Sequence, residues 1–228
     1  MKTKLIFLIL FAISGIFYYQ ITDATPGLET FQVDRVIDGD TLELSTGERV
    51  RLKGINTPES KMPYYQEAKI FLQSIAQNKS VQLEDHGTDK YGRTLAYIFL
   101  NKENINAQIL KQGLATLYYY EHDDHYEELR EAEELARINK KGLWKESPNA
   151  NCIEILEFKT DEPELLILEN KCNKELDITF KDDANHIYHE ALKSNSKLTK
   201  EFSHIWNTDG DSIYIHDSQG LLTFYRYN

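Results

Sequence analysis

From residue 31 to residue 53 the side chains alternate, one apolar and one polar, and that period of two marks half-buried strands. Phe31 to Ile37 forms one such run, residues 41–46 a second and residues 48–53 a third, with Thr46-Gly47 as the turn between the last two. The period then changes. Ala68, Phe71, Leu72 and Ile75 fall at helical spacing within Tyr64 to Ala76, behind Pro63, a residue suited to a helix start. Val81 to Glu84 and Arg93 to Leu100 read as strands flanking a turn at Asp89-Lys90-Tyr91-Gly92. Ile105 to Lys111 predicts a short helix stopped by Gly113, and Leu114 to Tyr120 an extended segment. Tyr126 to Lys141 predicts the longest helix, with Leu129, Ala132, Leu135, Ala136 and Ile138 inward and Glu127, Glu128, Glu131 and Glu134 outward. Gly142-Leu143-Trp144 ends it, with Trp144 folding back on the core.

Residues 147–151 are polar and turn-rich and predict a domain boundary. Beyond them lie only short alternating runs: Ile153 to Lys159, Glu164 to Glu169, Leu176 to Lys181, Ile187 to His189, Ser212 to His216 and Leu221 to Tyr227. This spacing predicts an all-β sandwich. The chain thus divides into a leader (1–24), an α+β barrel domain of five strands and three helices (28–147) and a β-sandwich (152–228).

Charge and cysteine content refine this picture. The net charge is −11, and the tail is more acidic than the barrel domain. That is not the basic footprint of a tight duplex binder, although catalysis on nucleic acid needs only local positive charge. Lys2 and Lys4 precede an apolar run from Leu5 to Tyr19, the pattern of an export signal. The run is short for a bilayer span, so a cleaved signal is the first reading and an uncleaved membrane anchor the second. Either places the mature chain in an extracytoplasmic space. Cys152 and Cys172 are then candidates for a disulfide, with two buried thiols as the alternative.

Chemistry concentrates in residues 38–59, where Asp38-Gly39-Asp40-Thr41, Arg51 and Asn56-Thr57-Pro58-Glu59 sit in and between two turns. Asp-Gly predicts a tight turn in which glycine supplies a positive φ. If the strands pair, Asp40, Arg51, Asn56 and Glu59 share one pocket. Oxygen ligands, a guanidinium and a spare carboxylate are what metal-assisted phosphodiester cleavage requires. His122-Asp123-Asp124-His125 reads as a solvated helix cap rather than a metal cluster.

Val36-Ile37-Asp38-Gly39-Asp40-Thr41, Arg51-Leu52, Asn56-Thr57-Pro58-Glu59, Asp89 to Tyr97 and Gln112-Gly113-Leu114-Ala115 follow one another in the order found in the staphylococcal nuclease (thermonuclease) family, which residues 31–146 resemble. The resemblance implies an OB-type five-stranded barrel with three helices. The tail, through residues 164–170 and 206–211, resembles a lamin-tail domain, an immunoglobulin-like sandwich.

The resemblance also implies roles. Asp40, with Asn56 and the main-chain carbonyl of Thr57, would bind calcium; Arg51 and Arg93 would hold the scissile phosphate; Glu59 would be the general base. Lys90, Tyr91 and Tyr119 would contact the nucleotide. Two departures stand out. The best-known members carry a carboxylate where this chain has Asn56, so weaker calcium binding is expected. A second aromatic is missing two residues after Tyr119, where Glu121 stands. The expectation is an exported, monomeric, calcium-dependent endonuclease acting on single-stranded or flexible DNA and RNA and leaving 3′-phosphates. The rivals are a nucleic-acid-binding module that keeps the barrel without the chemistry, and a protein whose tail attaches it to the envelope.

Overall fold

The computed structural model describes residues 27–119, 123–184, 186–208 and 210–227. The leader, Tyr120, Glu121 and His122 lie outside the described residues. Strands β1 (Glu29–Val36), β2 (Thr41–Leu44), β3 (Arg49–Leu52), β4 (Ile55–Asn56), β5 (Ser80–Thr88) and β6 (Thr94–Leu100) precede two short ones, β7 (Glu103–Asn104) and β8 (Thr116–Leu117). Helices α1 (Tyr65–Ala76), α2 (Ile105–Lys111) and α3 (Tyr126–Ile138) complete this half.

The main sheet runs β3-β2-β1-β5-β6, and a parallel pairing of β3 with β6 closes it into a five-stranded barrel. Alternation decides which way each residue points. Leu42 and Leu44 of β2 and Val50 and Leu52 of β3 are buried in the core, while Glu43, Arg49 and Arg51 stand on the other face. Helix α1 seals the barrel with Ala68, Leu72 and Ala76. Its N-terminal residue, Tyr64, has a φ of 67°, so the helix begins two residues beyond Pro63. The segment predicted as extended from Leu114 forms only the two-residue β8, paired with β4.

Helix α3 corrects its predicted face. Its buried residues are Leu129, Ala132, Glu133 and Ala136, whereas Leu135 is 45% and Ile138 67% exposed. The stripe of spacing i, i+3, i+4, i+7 includes an acid. Glu133 accepts the Leu117 amide at 2.7 Å and pairs with Arg226 from the C-terminal half.

That half holds β9 (Ile153–Lys159), β10 (Glu164–Asn170), β11 (Leu176–Lys181), β12 (Ile187–Leu192), β13 (Ser196–Phe202), β14 (Asp211–Asp217) and β15 (Gly220–Tyr227). They form two antiparallel sheets, β13-β10-β9 and β12-β11-β14-β15, around a shared core that includes Leu166, Leu168, Ile178, Phe180, Ile213 and Ile215. A disulfide joins Cys152 to Cys172.

The two halves meet across a mixed seam. Trp144 is buried there rather than in the barrel, against Tyr214 and Phe224. Around it, Ser147 and Asn149 donate to Asp217, and His216 hydrogen-bonds the Leu143 carbonyl.

Candidate active site

Barrel closure assembles the site. The β2–β3 register sets Thr41 against Arg51, and the β3–β6 register sets Arg51 against Leu95. Asp40 and Arg93, each one residue before a strand, therefore arrive at the same end. They open on a cleft of about 1220 Å³ whose lining includes Asp38, Asp40, Arg51, Asn56, Glu59, Lys90, Tyr91, Arg93 and Tyr119. Thr57 lies behind, bonded to Asp40.

Asp40 is buried, 6% exposed. Its Oδ2 accepts from the Thr57 amide at 2.9 Å and the Thr57 hydroxyl at 2.7 Å. Its Oδ1 accepts from the Thr41 hydroxyl at 3.1 Å and lies 3.2 Å from Arg51 Nε. Asp38 is the turn-maker, its Oδ1 accepting the Asp40 amide at 3.1 Å. Burial, then the neighbouring Asp40 charge, pushes Asp38 up to about 6. Gly39 is not among the positive-φ glycines. It is needed for space, because a Cβ there would sit 2.7 Å from Ala68 Cβ and 2.8 Å from Thr57 Oγ1. A side chain would force Thr57 away from Asp40.

Arg51 is held on several sides. Its Nη1 donates to the Leu52 carbonyl at 2.6 Å and the Ile55 carbonyl at 2.8 Å, and its Nη2 to Asn56 Oδ1 at 3.3 Å. A guanidinium has five N–H donors, so part of the fork is spent on fixing its position. Arg93 is clamped by Asp89, with Nε to Oδ2 at 2.8 Å, and its Nη1 reaches Thr41 Oγ1 at 3.4 Å. Burial raises the Asp89 pKa, but hydrogen bonds from Arg93 and the Tyr91 amide outweigh it and hold the group below its ordinary value. Lys90 and Arg93 both lie over the Tyr91 ring, which is 73% exposed. Glu59 is exposed at the cleft, six residues before α1, too far ahead to act as that helix's N-terminal carboxylate.

Asn56 is 4% exposed. Its Oδ1 meets Arg51, and its Nδ2 donates to the carbonyls of Asp183 and Ala184, each at 3.2 Å. Its neighbours fix the amide orientation, since carbonyls require the NH₂ and a guanidinium requires the oxygen.

Tyr119 lines the cleft, but its hydroxyl is engaged. It bonds Asp123 and lies 2.8 Å from Tyr97 Oη. Asp123 also accepts from Lys53 at 2.8 Å and from the His125 amide at 2.9 Å, so it caps the start of α3 and is at the same time a half-buried hub. His125 pairs with Glu84. Among the described residues no group of three His, Cys, Asp or Glu side chains is gathered for a metal. A cation here would depend on one carboxylate, an amide oxygen and a main-chain carbonyl. That all-oxygen set suits a hard divalent ion by donor type, although both Asp40 oxygens already accept from protein groups.

Several contributors escaped the sequence reading. Asp89 was signalled only as a turn residue, and Asp38 only as a turn-maker. Ala184 and His186 line the cleft from the C-terminal half, and no local motif announces them.

A closed barrel with two arginines and a carboxylate turn at one end defines an OB-type nuclease-like protein. The family profile described as staphylococcal nuclease homologue matches residues 49–146. The thermonuclease of Staphylococcus hyicus is 37% identical over 128 residues, covering 51% of this chain and 76% of the relative. That of Staphylococcus intermedius is 39% identical over 128 residues, with the same coverage. Endonuclease YncB of Bacillus subtilis (strain 168) is 34% identical over 129 residues, covering 50% of this chain and 61% of the relative. This chain belongs to the staphylococcal nuclease homologue family. The profile begins at residue 49, after Asp40, which the β2–β3 register brings beside Arg51.

Proposed function

We propose that this protein is an exported, calcium-dependent nuclease that hydrolyses phosphodiester bonds in single-stranded or flexible DNA and RNA. Nuclease chemistry follows from family membership and is carried by one observation: Arg51, Arg93 and Glu59 open on the same cleft beside Asp40. Arg51 and Arg93 grip the scissile phosphate through the N–H groups not spent on anchoring. They stabilise the charge that grows on its oxygens in the transition state. Glu59, exposed to solvent, takes a proton from the attacking water. The water oxygen bonds to phosphorus and the bond to the 5′ oxygen breaks; that oxygen leaves as a 5′-hydroxyl with a proton taken from solvent, and a 3′-phosphate remains. Calcium, held by Asp40, the Asn56 oxygen and the Thr57 carbonyl, would supply electrophilic stabilisation of the phosphate.

Export is supported by the basic and apolar leader and by the disulfide, a bond that persists in oxidising compartments. The lamin-tail likeness is supported by a two-sheet β domain after residue 152.

The test is cleavage of a single-stranded oligonucleotide by the chain lacking residues 1–24, with calcium and with chelator, beside Arg51→Ala and Glu59→Ala. Each substitution should lower kcat by roughly 10²-fold or more. Wild-type rates in both variants would overturn the assigned site, and binding without hydrolysis would favour the non-catalytic module.

A further inference from the structure

The cleft is built by both halves of the chain. Between β11 and β12, the turn around Asp183 and Ala184 lies directly over Asn56, and His186, at the far side of that turn, lines the same cleft as Arg51 and Arg93. Its placement is heavily determined. Ala184 offers its carbonyl to Asn56 Nδ2 and, at 3.3 Å, to Lys181 Nζ. The Asp183 carboxylate accepts from Ser212 Oγ at 3.2 Å and Tyr214 Oη at 2.5 Å. Arg226 lies 3.6 Å from Asp183 and pairs with Glu133 of α3, linking the turn to the barrel domain. Asp183 and Ala184 are thus held on several sides, against the barrel domain through Asn56.

Asn56 explains why an amide stands here. A carboxylate cannot donate, and facing two carbonyls it would be repelled. The Asn56 amide thus docks the turn with its NH₂ while its oxygen faces Arg51.

His186 has the arrangement of a preset contact. Its Nδ1 lies 2.6 Å from Oδ2 of Asp182, and its amide donates to Asp182 Oδ1 at 3.1 Å. Asp182 is 1% exposed, so the ring is steered by a buried carboxylate. Giving Nδ1–H to that carboxylate leaves Nε2 for another partner, and among the described residues it has none. The ring is about half exposed, at 49%.

We infer that the C-terminal domain supplies one wall of the active-site cleft, and that His186 is a substrate-binding residue that contacts the nucleic-acid strand lying against Arg51 and Arg93. This rests on the nuclease reading for its substrate class. It gives the tail a place in catalysis rather than in attachment. It would also favour a single strand, since Ala184 and His186 take up part of the cleft that a bulkier duplex would need.

The test uses the full chain without its leader, at saturating calcium, on one oligonucleotide as single strand and as duplex. In His186→Ala, kcat/KM on the single strand should fall about five-fold, the loss of one hydrogen bond, with the larger part in KM. The preference for single strand over duplex should narrow. His186→Gln, which keeps a polar tip, should recover part of the KM. An unchanged KM and an unchanged preference in both variants would overturn the proposal. Fluorescence anisotropy with the same oligonucleotide in chelator separates this from the nuclease reading. If the wild type cleaves nothing, weaker binding by His186→Ala still supports the wall, and equal binding overturns it.

Discussion

The barrel wall away from the cleft and the seam treat charge in opposite ways. Away from the cleft an ion pair stands near solvent: Arg35 meets Glu43 at 3.0 Å with the arginine side chain 55% exposed, whereas at the cleft Arg51 and Asp40 are enclosed. At the seam the pairs are enclosed. Glu133 is 2% exposed and faces Arg226, which also lies near Asp183. The barrel is held by an apolar interior, from Val33 to Ala132, that does not depend on these charges. The seam has a small apolar cluster and depends on matched polar groups. Matched groups fix one orientation, as a shared cleft requires, whereas an apolar patch alone would allow several.

Removing one partner of the enclosed pair should have the largest effect. Glu133→Ala takes away the closest carboxylate of Arg226, leaving it Ser212, Tyr214 and Asp183 at 3.6 Å, and leaves the Leu117 amide without its acceptor. We expect a loss of roughly 3–5 kcal/mol in denaturant unfolding, the cost typical of a broken buried pair. Glu133→Gln keeps an acceptor for the amide and should lose less. A loss under about 1 kcal/mol for the alanine variant, the range of exposed pairs, would erase the contrast between seam and surface.

Glu133 also shows where sequence reading stops. It belongs to neither the predicted inward face nor the predicted outward glutamates of its helix, and only a partner 93 positions away, brought close by the fold, accounts for its interior place. The barrel strands were legible because one face is core, and alternation records that directly. So was the gathering of Asp40, Arg51, Asn56 and Glu59 at one cleft, since turns and strand pairing bring them together, whereas Arg93 follows only from the family resemblance. Strand β13 was not. Ser196–Phe202 packs on only one side, with Leu198 and Phe202 as its apolar residues among lysines, so its pattern is weak. Asn56 was legible as a departure from its family, but its second partner belongs to another domain. No spacing rule links residue 56 to residues 183 and 184.

A smaller effect, set by pH, should also separate the two regions. His216 is held at the seam, where burial lowers its pKa to about 4 against the weaker opposite pull of the Leu143 carbonyl. A depressed pKa means the folded state resists protonation. The stability His216 contributes is complete above its unfolded value near 6.5 and is lost as pH falls from there through about 4. Asp183 works in the other sense, because burial raises it to about 6. Its contribution is present below its ordinary value of 3.8 and lost as pH rises through about 6. The two overlap, so a single profile mixes them. His216→Gln isolates one: glutamine can still donate to Leu143 but does not titrate. The melting temperature of the wild type should fall more steeply than that of His216→Gln between pH 6.5 and 4, and parallel profiles would show that His216 is not held neutral.

The smallest effect is expected at Arg35. Its guanidinium makes two hydrogen bonds to Glu43, at 3.0 Å each, a geometry as good as any at the seam. The Arg35 pKa is raised chiefly by that hydrogen bond, and the Glu43 pKa is lowered by the same contact. Yet water solvates the arginine whether or not the pair forms, and a second arginine, Arg49, lies 3.4 Å from the same carboxylate to take over. Good geometry without enclosure should contribute little. Arg35→Ala should therefore leave the denaturation midpoint within error of the wild type, while Glu133→Ala moves it clearly. A midpoint shift in Arg35→Ala equal to that in Glu133→Ala would mean that bond geometry, rather than exclusion of water, sets the strength of ion pairs in this protein, and the seam would lose its special standing.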